Sequence, residues 1–262
     1  MSTEHFDICV IGAGPGGYVA ALKAAQMGAR TAVIEQGNLG GTCLNFGCIP
    51  SKALLSSAEL LHSVQNARKW GVTVGGEIGF DWSEITQHKN KILRQLRGGI
   101  ASLFKGRKVT HLAGRGRFER AGRIVVTPGE GAPQTVTADK VIIASGSVPM
   151  RIPGWPTDPA MVCTSDEAVH WTSLPQRLLI VGGGVIGCEF ACMMQAFGVA
   201  VTVVEMLPNL LPTLDHDLGA ALLAIFKGRG ITCHLETKVE QIEVVSGGTV
   251  VRTQLSSGAA LE

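Results

Sequence analysis

The chain of 262 residues uses one pattern twice. The strand-forming run Phe6–Ile11 leads into Gly12, Gly14 and Gly17. The helix-forming stretch Tyr18–Met27 ends at Gly28, and Thr31–Ile34 gives a second strand closed by Glu35. From Arg177 the pattern returns as RLLIVGGGVIG, CEFACMMQAFG and VAVTVVE. Gly182, Gly184 and Gly187 take the places of the first three glycines, and Glu205 takes that of Glu35. In each copy the acid follows the first glycine by 23 positions. Strand, glycine turn, helix, strand and acid, repeated, predict an α/β fold in which one nucleotide-binding unit is used twice.

Each glycine of such a turn has its own task. The first permits the sharp bend, the second admits a pyrophosphate beside the backbone, and the third lets helix and strand pack closely, with the helix N-terminus facing the phosphate charge. Glycine-rich turns also serve packing alone, and a strand-end acid is often a plain exposed charge. The strand before, the acid after and the duplication favour the ligand reading. Glu35 and Glu205 are suited to accept hydrogen bonds from a ribose diol. At Glu205 the carboxylate favours NAD(H), because a 2'-phosphate there would meet like charge.

Between the copies, helices are expected over Pro50–Trp70 and Trp82–Phe104, and strands around Lys108–Leu112 and over Arg117–Val141. Val141–Ala144 then runs into SGSVP, where Gly146, Pro149, Pro153, Gly154, Pro156 and Pro159 punctuate the chain. The boundary falls near Met150, giving domains 1–150 and 151–262. At the end, Lys238–Val245, SGG and Thr249–Leu255 read as a hairpin, after which SSGAALE stops without a closing element.

Composition narrows the function classes. The 34 glycines are nearly twice the usual ~7% share. They show no period-three pattern, so they mark turns and close backbone approaches. Twenty-three basic against 21 acidic residues leave a formal charge of +2, no field for a nucleic-acid backbone. Seven cysteines are an odd number and no stapled scaffold, which fits a reducing compartment. MSTEHFDICVIG has no export-signal pattern, and no apolar run reaches the ~20 residues that span a bilayer. The expectation is a cytoplasmic protein with no membrane partner.

The segment from Gly40 to Leu54 carries the chemistry. Cys43 and Cys48 are separated by four residues, bracketed by glycines, near the opening of a helix. That placement favours thiolate and disulfide exchange. No second Cys or His pair stands at ligand spacing, so no metal site is expected. Two buried structural cysteines remain the alternative.

The words GGTCLNFGCIPSK, with GAGPGGYVAA, IIASGSVP, GGGVIGCEF and VEMLPNLLPTLDHDLG, resemble the pyridine-nucleotide-linked flavoprotein disulfide reductases. Among them they are most similar to the dihydrolipoamide dehydrogenases. The resemblance runs from Phe6 nearly to Glu262. It implies two Rossmann-like FAD/NAD(P)-binding units. Residues 1–150 would be the FAD-binding domain with the redox dithiol, incomplete because its C-terminal return segment is absent, and 151–262 a nearly complete NAD-binding domain.

By the same resemblance Cys43 and Cys48 form a disulfide beside the flavin. Cys48 is the flavin-proximal, charge-transfer thiol and Cys43 the thiol that exchanges with substrate. Lys52 lies near flavin N5 and pairs with Glu189. Further cofactor contacts fall on Gly41, Thr42, Gly116 within GRGRF on the FAD side, Ser145, Gly146, Ile186, and Val239 near the adenosine of NAD. The implied reaction oxidises protein-bound dihydrolipoamide and reduces NAD+. The implied partner is the lipoyl domain of a 2-oxoacid dehydrogenase or glycine-cleavage complex. The family homodimer is implied too, although its dimerisation domain, which supplies a His and Glu acid–base pair, is absent here. The alternatives are a glutathione-type or mercuric reductase, or a non-catalytic nucleotide-binding fragment.

The remaining candidates read as structure. Cys9, Cys163, Cys188, Cys192 and Cys233 lack metal spacing and default to packing, as do Met193 and Met194. His111, His216 and His234 carry no catalytic signal. Lys89, Lys91, Arg94 and Arg97 are expected to form a solvated basic face on the second long helix.

Overall fold

Strand formation in the first unit follows its β-branched and apolar runs. The computed structural model describes residues 3–156, 158 and 160–245, and the backbone of 248–255 and 260–261. They form two compact units: 1–50 with 90–148, and 51–89 with 149–262. The units are therefore not contiguous in sequence. One crossing falls between Val148 and Pro149, and the segment 51–89 groups with the second unit.

In the first unit β1 (Glu4–Ile11) leads through a glycine turn to α1 (Pro15–Gln26), then β2 (Thr31–Glu35), α2 (Gly41–Asn45) and α3 (Cys48–Gln65). A 3-10 turn (Ala67–Trp70) follows, and then α4 (Trp82–Gly106), β3 (Thr110–Ala113), β4 (Arg115–Arg120), β5 (Arg123–Thr127) and β6 (Gln134–Ile143). Residues of α3 from Ser51 on, the 3-10 turn, and residues of α4 up to Lys89 group with the second unit. The six strands form one sheet in the order β3-β2-β1-β6-β5-β4. β1 runs parallel to β2 and β6 on its two sides, with Val10 opposite Val33 and Ile142.

Such a doubly flanked strand is dry, and Phe6, Cys9 and Val10 are fully buried. Phe6, Cys9, Ile34, Ile124, Val126 and Val136 form one core. Val10, Val33, Ala21, Leu44, Ile100 and Phe104 form another, which brings residues of α1, α2 and α4 together with β1 and β2. Pro15 opens α1, where its missing N–H costs no helical hydrogen bond. Gly28 leaves the helix at φ +94°.

The second unit carries α5 (Ser165–Ala168), β7 (Arg177–Val181), α6 (Val185–Ala196), β8 (Ala200–Val204), α7 (His216–Gly228) and β9 (Thr232–His234). A capping box, Thr164 with Glu167, opens α5. β7, β8 and β9 are parallel neighbours in that order. The core gathers Phe190, Ala191, Met193 and Met194 from α6 with Val203, Phe226 and Ile231. Leu54, Ala58 and Leu61, spaced along one face of α3, join it.

β10 (Thr237–Val245), β11 (Gly248–Leu255) and β12 (Ala260–Leu261) make a separate antiparallel sheet. The hairpin expected at the end is present as the β10–β11 pair, although Ser246 and Gly247 of its turn lie outside the described residues. The chain does not stop after it: β12 adds a third strand, with Ala260 opposite Gln254. Ser256 to Ala259, Glu262 and Pro159 also lie outside the described residues.

The basic face expected on α4 is corrected. Lys91 and Arg94 are exposed, but Lys89 is 2% exposed and donates to the Val169 carbonyl at 2.5 Å. Arg97 is half-buried and donates to Asn45. The signal was present in the spacing. Lys89, Leu93, Arg97, Ile100 and Phe104 follow the three-and-four step of one helix face, and Leu93, Ile100 and Phe104 are buried.

Candidate functional site

Both glycine turns are built alike, down to their hydrogen bonds. Gly12 sits at φ +101° and Gly182 at +109°, a region closed to most side chains. Gly14 and Gly184 cap α1 and α6 in extended conformation, at φ −68° and −72°. A Cβ on Gly17 would lie 1.9 Å from the Gly12 carbonyl oxygen, and one on Gly187 would lie 2.1 Å from that of Gly182. The third glycine in each copy is therefore dictated by contact of the helix with its own turn.

The two acids close these turns. One Glu35 oxygen accepts the Ala13 N–H at 2.7 Å and the other the Gly37 N–H at 2.7 Å. Glu205 repeats this with Gly183 at 2.6 Å and Leu207 at 2.8 Å. Glu35 is half-buried and Glu205 is 7% exposed. Both carboxylates thus brace the backbone that would carry a phosphate. Each oxygen retains lone-pair capacity for a hydroxyl.

The copies differ around the first glycine. A Cβ on Gly12 would strike the Ala144 carbonyl oxygen at 2.1 Å, because β6 ends beside it. At Gly182 nothing stands within 4 Å among the described residues. Neither α1 nor α6 has a side-chain cap on its first N–H groups. At Gly184 the space a Cβ would take is open. Uncapped helix N-termini behind Gly14, where a Cβ would meet the Gly41 Cα at 3.7 Å, and behind the open Gly184 fit the pyrophosphate of a dinucleotide.

The cysteine segment is seated on the first turn. The Gly40 N–H donates to the Ala13 carbonyl at 2.8 Å, and a Cβ on Gly41 would lie 2.6 Å from the Gly14 Cα. Positive φ at Gly40 and Gly41, +98° and +57°, turns the chain from that contact into α2. Cys43, half-buried, lies within α2 beside exposed Thr42. Cys48, exposed, opens α3. Four residues further along α3, Lys52 donates from Nζ to Glu189 Oε1 at 2.5 Å. Its side chain is 56% exposed against 25% for Glu189, so solvent screens the pair from the lysine side. Glu189 also lines a mainly apolar cleft of about 660 Å³ with Leu55, Cys192 and Leu222.

The other expected contacts scatter around the turns. Gly116 lies in β4, where a Cβ would press on Ile34 and Ile11 at 3.2 and 3.5 Å. Ser145 and Gly146 are exposed just beyond β6, with Gly146 at φ +75°. Ile186, in the first turn of α6, is 60% exposed. Val239 is buried with Val204 and Ile242, packed by Trp155 and Val162.

The remaining cysteines are chemically muted. Burial pushes the Cys9 thiol up to about 11 and that of Cys188 up to about 12. It raises Cys163, Cys192 and Cys233 as well. Cys188 Sγ meets the Gly183 carbonyl at 3.3 Å, which makes it a packing group behind the second turn. Burial lowers Lys89 and also His111, where the Glu35 charge works in the opposite direction. Asn45, which lies between the two cysteines in sequence and carried no signal in their spacing, is 1% exposed and donates to the Gly41 carbonyl at 2.8 Å.

The sequence pattern of the family described as pyridine nucleotide-disulphide oxidoreductase matches residues 6–262. Among curated proteins, a dihydrolipoyl dehydrogenase of Acholeplasma laidlawii is 40% identical over 92% of this chain and 71% of its own length. That of Mycobacterium tuberculosis H37Rv is 41% identical over 98% of this chain and 55% of its own. That of Bacillus subtilis 168 is 43% identical over 88% and 50%. The chain thus spans about half the length of the last two. Among the described residues no helix is long and apolar enough to cross a membrane.

Proposed function

The chain belongs to the pyridine nucleotide-disulphide oxidoreductase family, and on that premise we propose that it is the nucleotide- and dithiol-bearing part of a dihydrolipoamide dehydrogenase. It oxidises protein-bound dihydrolipoamide to lipoamide while NAD+ is reduced, with FAD on the first unit and NAD on the second. The observation that carries this reading is the seating of the Cys43 and Cys48 segment on the first glycine turn, through Gly40 to Ala13 at 2.8 Å. A dinucleotide with its pyrophosphate on that turn would lie beside the Gly40–Gly41 backbone that leads into the cysteine segment. The relatives' name is the second support.

The dithiol chemistry balances in two exchanges. A substrate thiolate attacks Cys43 Sγ of the oxidised pair, the bond to Cys48 breaks, and Cys48 leaves as thiolate. The second substrate thiolate then breaks the mixed disulfide, releasing the cyclic disulfide and leaving Cys43 reduced. Two electrons have passed to the protein sulfurs and two protons to the medium. FAD, when bound, supplies the two-electron relay from that dithiol to NAD+. Gly12, Gly14, Gly17 and Glu35 hold the first nucleotide, with Gly41, Thr42, Gly116, Ser145 and Gly146 around it. Gly182, Gly184, Ile186, Gly187, Glu205 and Val239 hold the second. With FAD bound, Lys52, paired with Glu189, would supply a positive charge that favours negative charge on the flavin. The cytoplasm is the working compartment, the lipoyl domain of a 2-oxoacid dehydrogenase or glycine-cleavage complex the partner, and the homodimer the assembly.

The visible spectrum and turnover of the purified protein test the reading. Flavin absorption, a longer-wavelength band on mild reduction, and lipoamide turnover with NADH above that with NADPH are expected. Preference for glutathione disulfide or mercuric ion moves the chain to those reductases. Colourless protein that binds NAD alone makes it a non-catalytic nucleotide-binding fragment.

A further inference from the structure

The basic residue on the buried stripe of α4 that reaches the dithiol segment is Arg97. Its Nε donates to Asn45 Oδ1 at 2.5 Å. On its other side the same amide faces three backbone carbonyls. Nδ2 lies 2.8 Å from the Gly41 oxygen, 3.2 Å from that of Leu39 and 3.3 Å from that of Asn38. Asn45 is two residues after Cys43 and three before Cys48, and at 1% exposure water does not compete for its polar atoms.

This arrangement is directional. A flipped amide would turn Oδ1 toward three carbonyl oxygens and Nδ2 toward a guanidinium, both repulsive, so the network admits one orientation. The charge-assisted bond from Arg97 holds Oδ1 away from the carbonyls. Nδ2 then ties the end of α2 back to residues 38–41, the stretch seated on the first glycine turn. The α2 segment bearing Cys43 is therefore clamped at both ends.

We propose that Arg97, acting through the Asn45 amide, is a positioning residue that fixes the Cys43 thiol relative to Cys48 and to the first glycine turn. The proposal deepens the dithiol reading above and rests on it for its purpose. Neither residue touches substrate; both set where a sulfur points.

The test uses the full chain, reduced, with iodoacetamide as probe and peptide mass spectrometry to read the alkylation rates of Cys43 and Cys48 separately. Arg97→Met removes the donor, and we expect the Cys43-to-Cys48 rate ratio to rise several-fold. Arg97→Lys, which keeps a charged donor, returns most of the way, and Arg94→Met, on the exposed face, leaves the ratio at the wild-type value. An unchanged ratio in Arg97→Met, or one in Arg97→Lys as displaced as in Arg97→Met, overturns the proposal. Should Arg97→Met not fold, Asn45→Asp decides, since its second oxygen repels the three carbonyls; a wild-type ratio there is equally fatal. The function is tested separately on oxidised wild type. Absence of a Cys43–Cys48 disulfide strikes the dithiol chemistry, while the ratio in reduced protein still judges the clamp.

Discussion

Glu205 accepts the Gly183 backbone N–H at 2.6 Å, so the acid at the end of β8 holds the glycine turn that precedes α6. Its other oxygen takes the Leu207 N–H at 2.8 Å, which makes it a brace; the proposed function adds a ribose hydroxyl to what it accepts. Glu205→Ala strands two donors and is expected to cost about 2 kcal/mol or more in urea unfolding. Glu205→Gln keeps one acceptor, costs about 1 kcal/mol, and weakens NAD+ binding about tenfold by calorimetry. Wild-type NAD+ affinity in Glu205→Gln would remove the acid from nucleotide recognition.

Two glycines of the second turn separate folding from binding. Gly187→Ala drives a methyl to 2.1 Å from the Gly182 oxygen and is expected to destabilise by roughly 2–3 kcal/mol. Gly184→Ala meets nothing within 4 Å among the described residues, so its cost stays at or below about 1 kcal/mol. If the proposed function is right, its methyl enters the space of the pyrophosphate, and NAD+ affinity should drop at least about tenfold. Equal melting temperatures for the two variants would contradict the packing argument.

The Lys52–Glu189 pair divides in the same manner. With the Lys52 side chain 56% exposed, Glu189→Gln should change stability by less than about 1 kcal/mol. If Lys52 serves the flavin, turnover with lipoamide falls by about tenfold or more in the same variant. A turnover loss no larger than the stability change predicts would return the pair to the surface.

Buried thiols set an alkaline limit. Cys9 and Cys188 have folded values of about 11 and about 12, raised by burial above the ordinary 9.0. Their contribution is whole below pH 9 and is lost as pH rises toward 11 and 12, because the unfolded chain releases the proton first. Each removes up to about 1.4 kcal/mol per pH unit in that window. Cys188→Ala is expected to flatten the fall in stability between pH 9 and 10.5, measured by denaturant titration at each pH. Iodoacetamide at pH 8 should leave both residues unlabelled in the folded protein.

Along α4 the cost of losing a cation should follow burial. Lys89→Ala leaves the Val169 carbonyl without its donor and opens a cavity, an expected loss of about 2 kcal/mol or more. Lys91→Ala and Arg94→Ala, both exposed, should stay within about 0.5 kcal/mol. Uniform effects across the three would mean that Lys89 is not held where the helix places it.

The two turns were legible in the amino-acid order because their requirements are local. A positive φ at Gly12 and Gly182, and a helix pressed on its own turn at Gly17 and Gly187, admit one residue type whatever surrounds them. The spacing to Glu35 and Glu205 was equally readable, since one strand–turn–helix–strand unit fixes it. That these acids brace Ala13 and Gly183 was not, because the hydrogen bonds form only once the strands lie side by side. Four basic residues on one helix looked alike until packing buried Lys89 and brought Arg97 to Asn45, 52 positions away. Grouping of 51–89 with 149–262 was decided in the same way, by contacts between segments far apart in the chain. Backbone geometry is written residue by residue, whereas burial and pairing belong to neighbours that only the folded chain supplies.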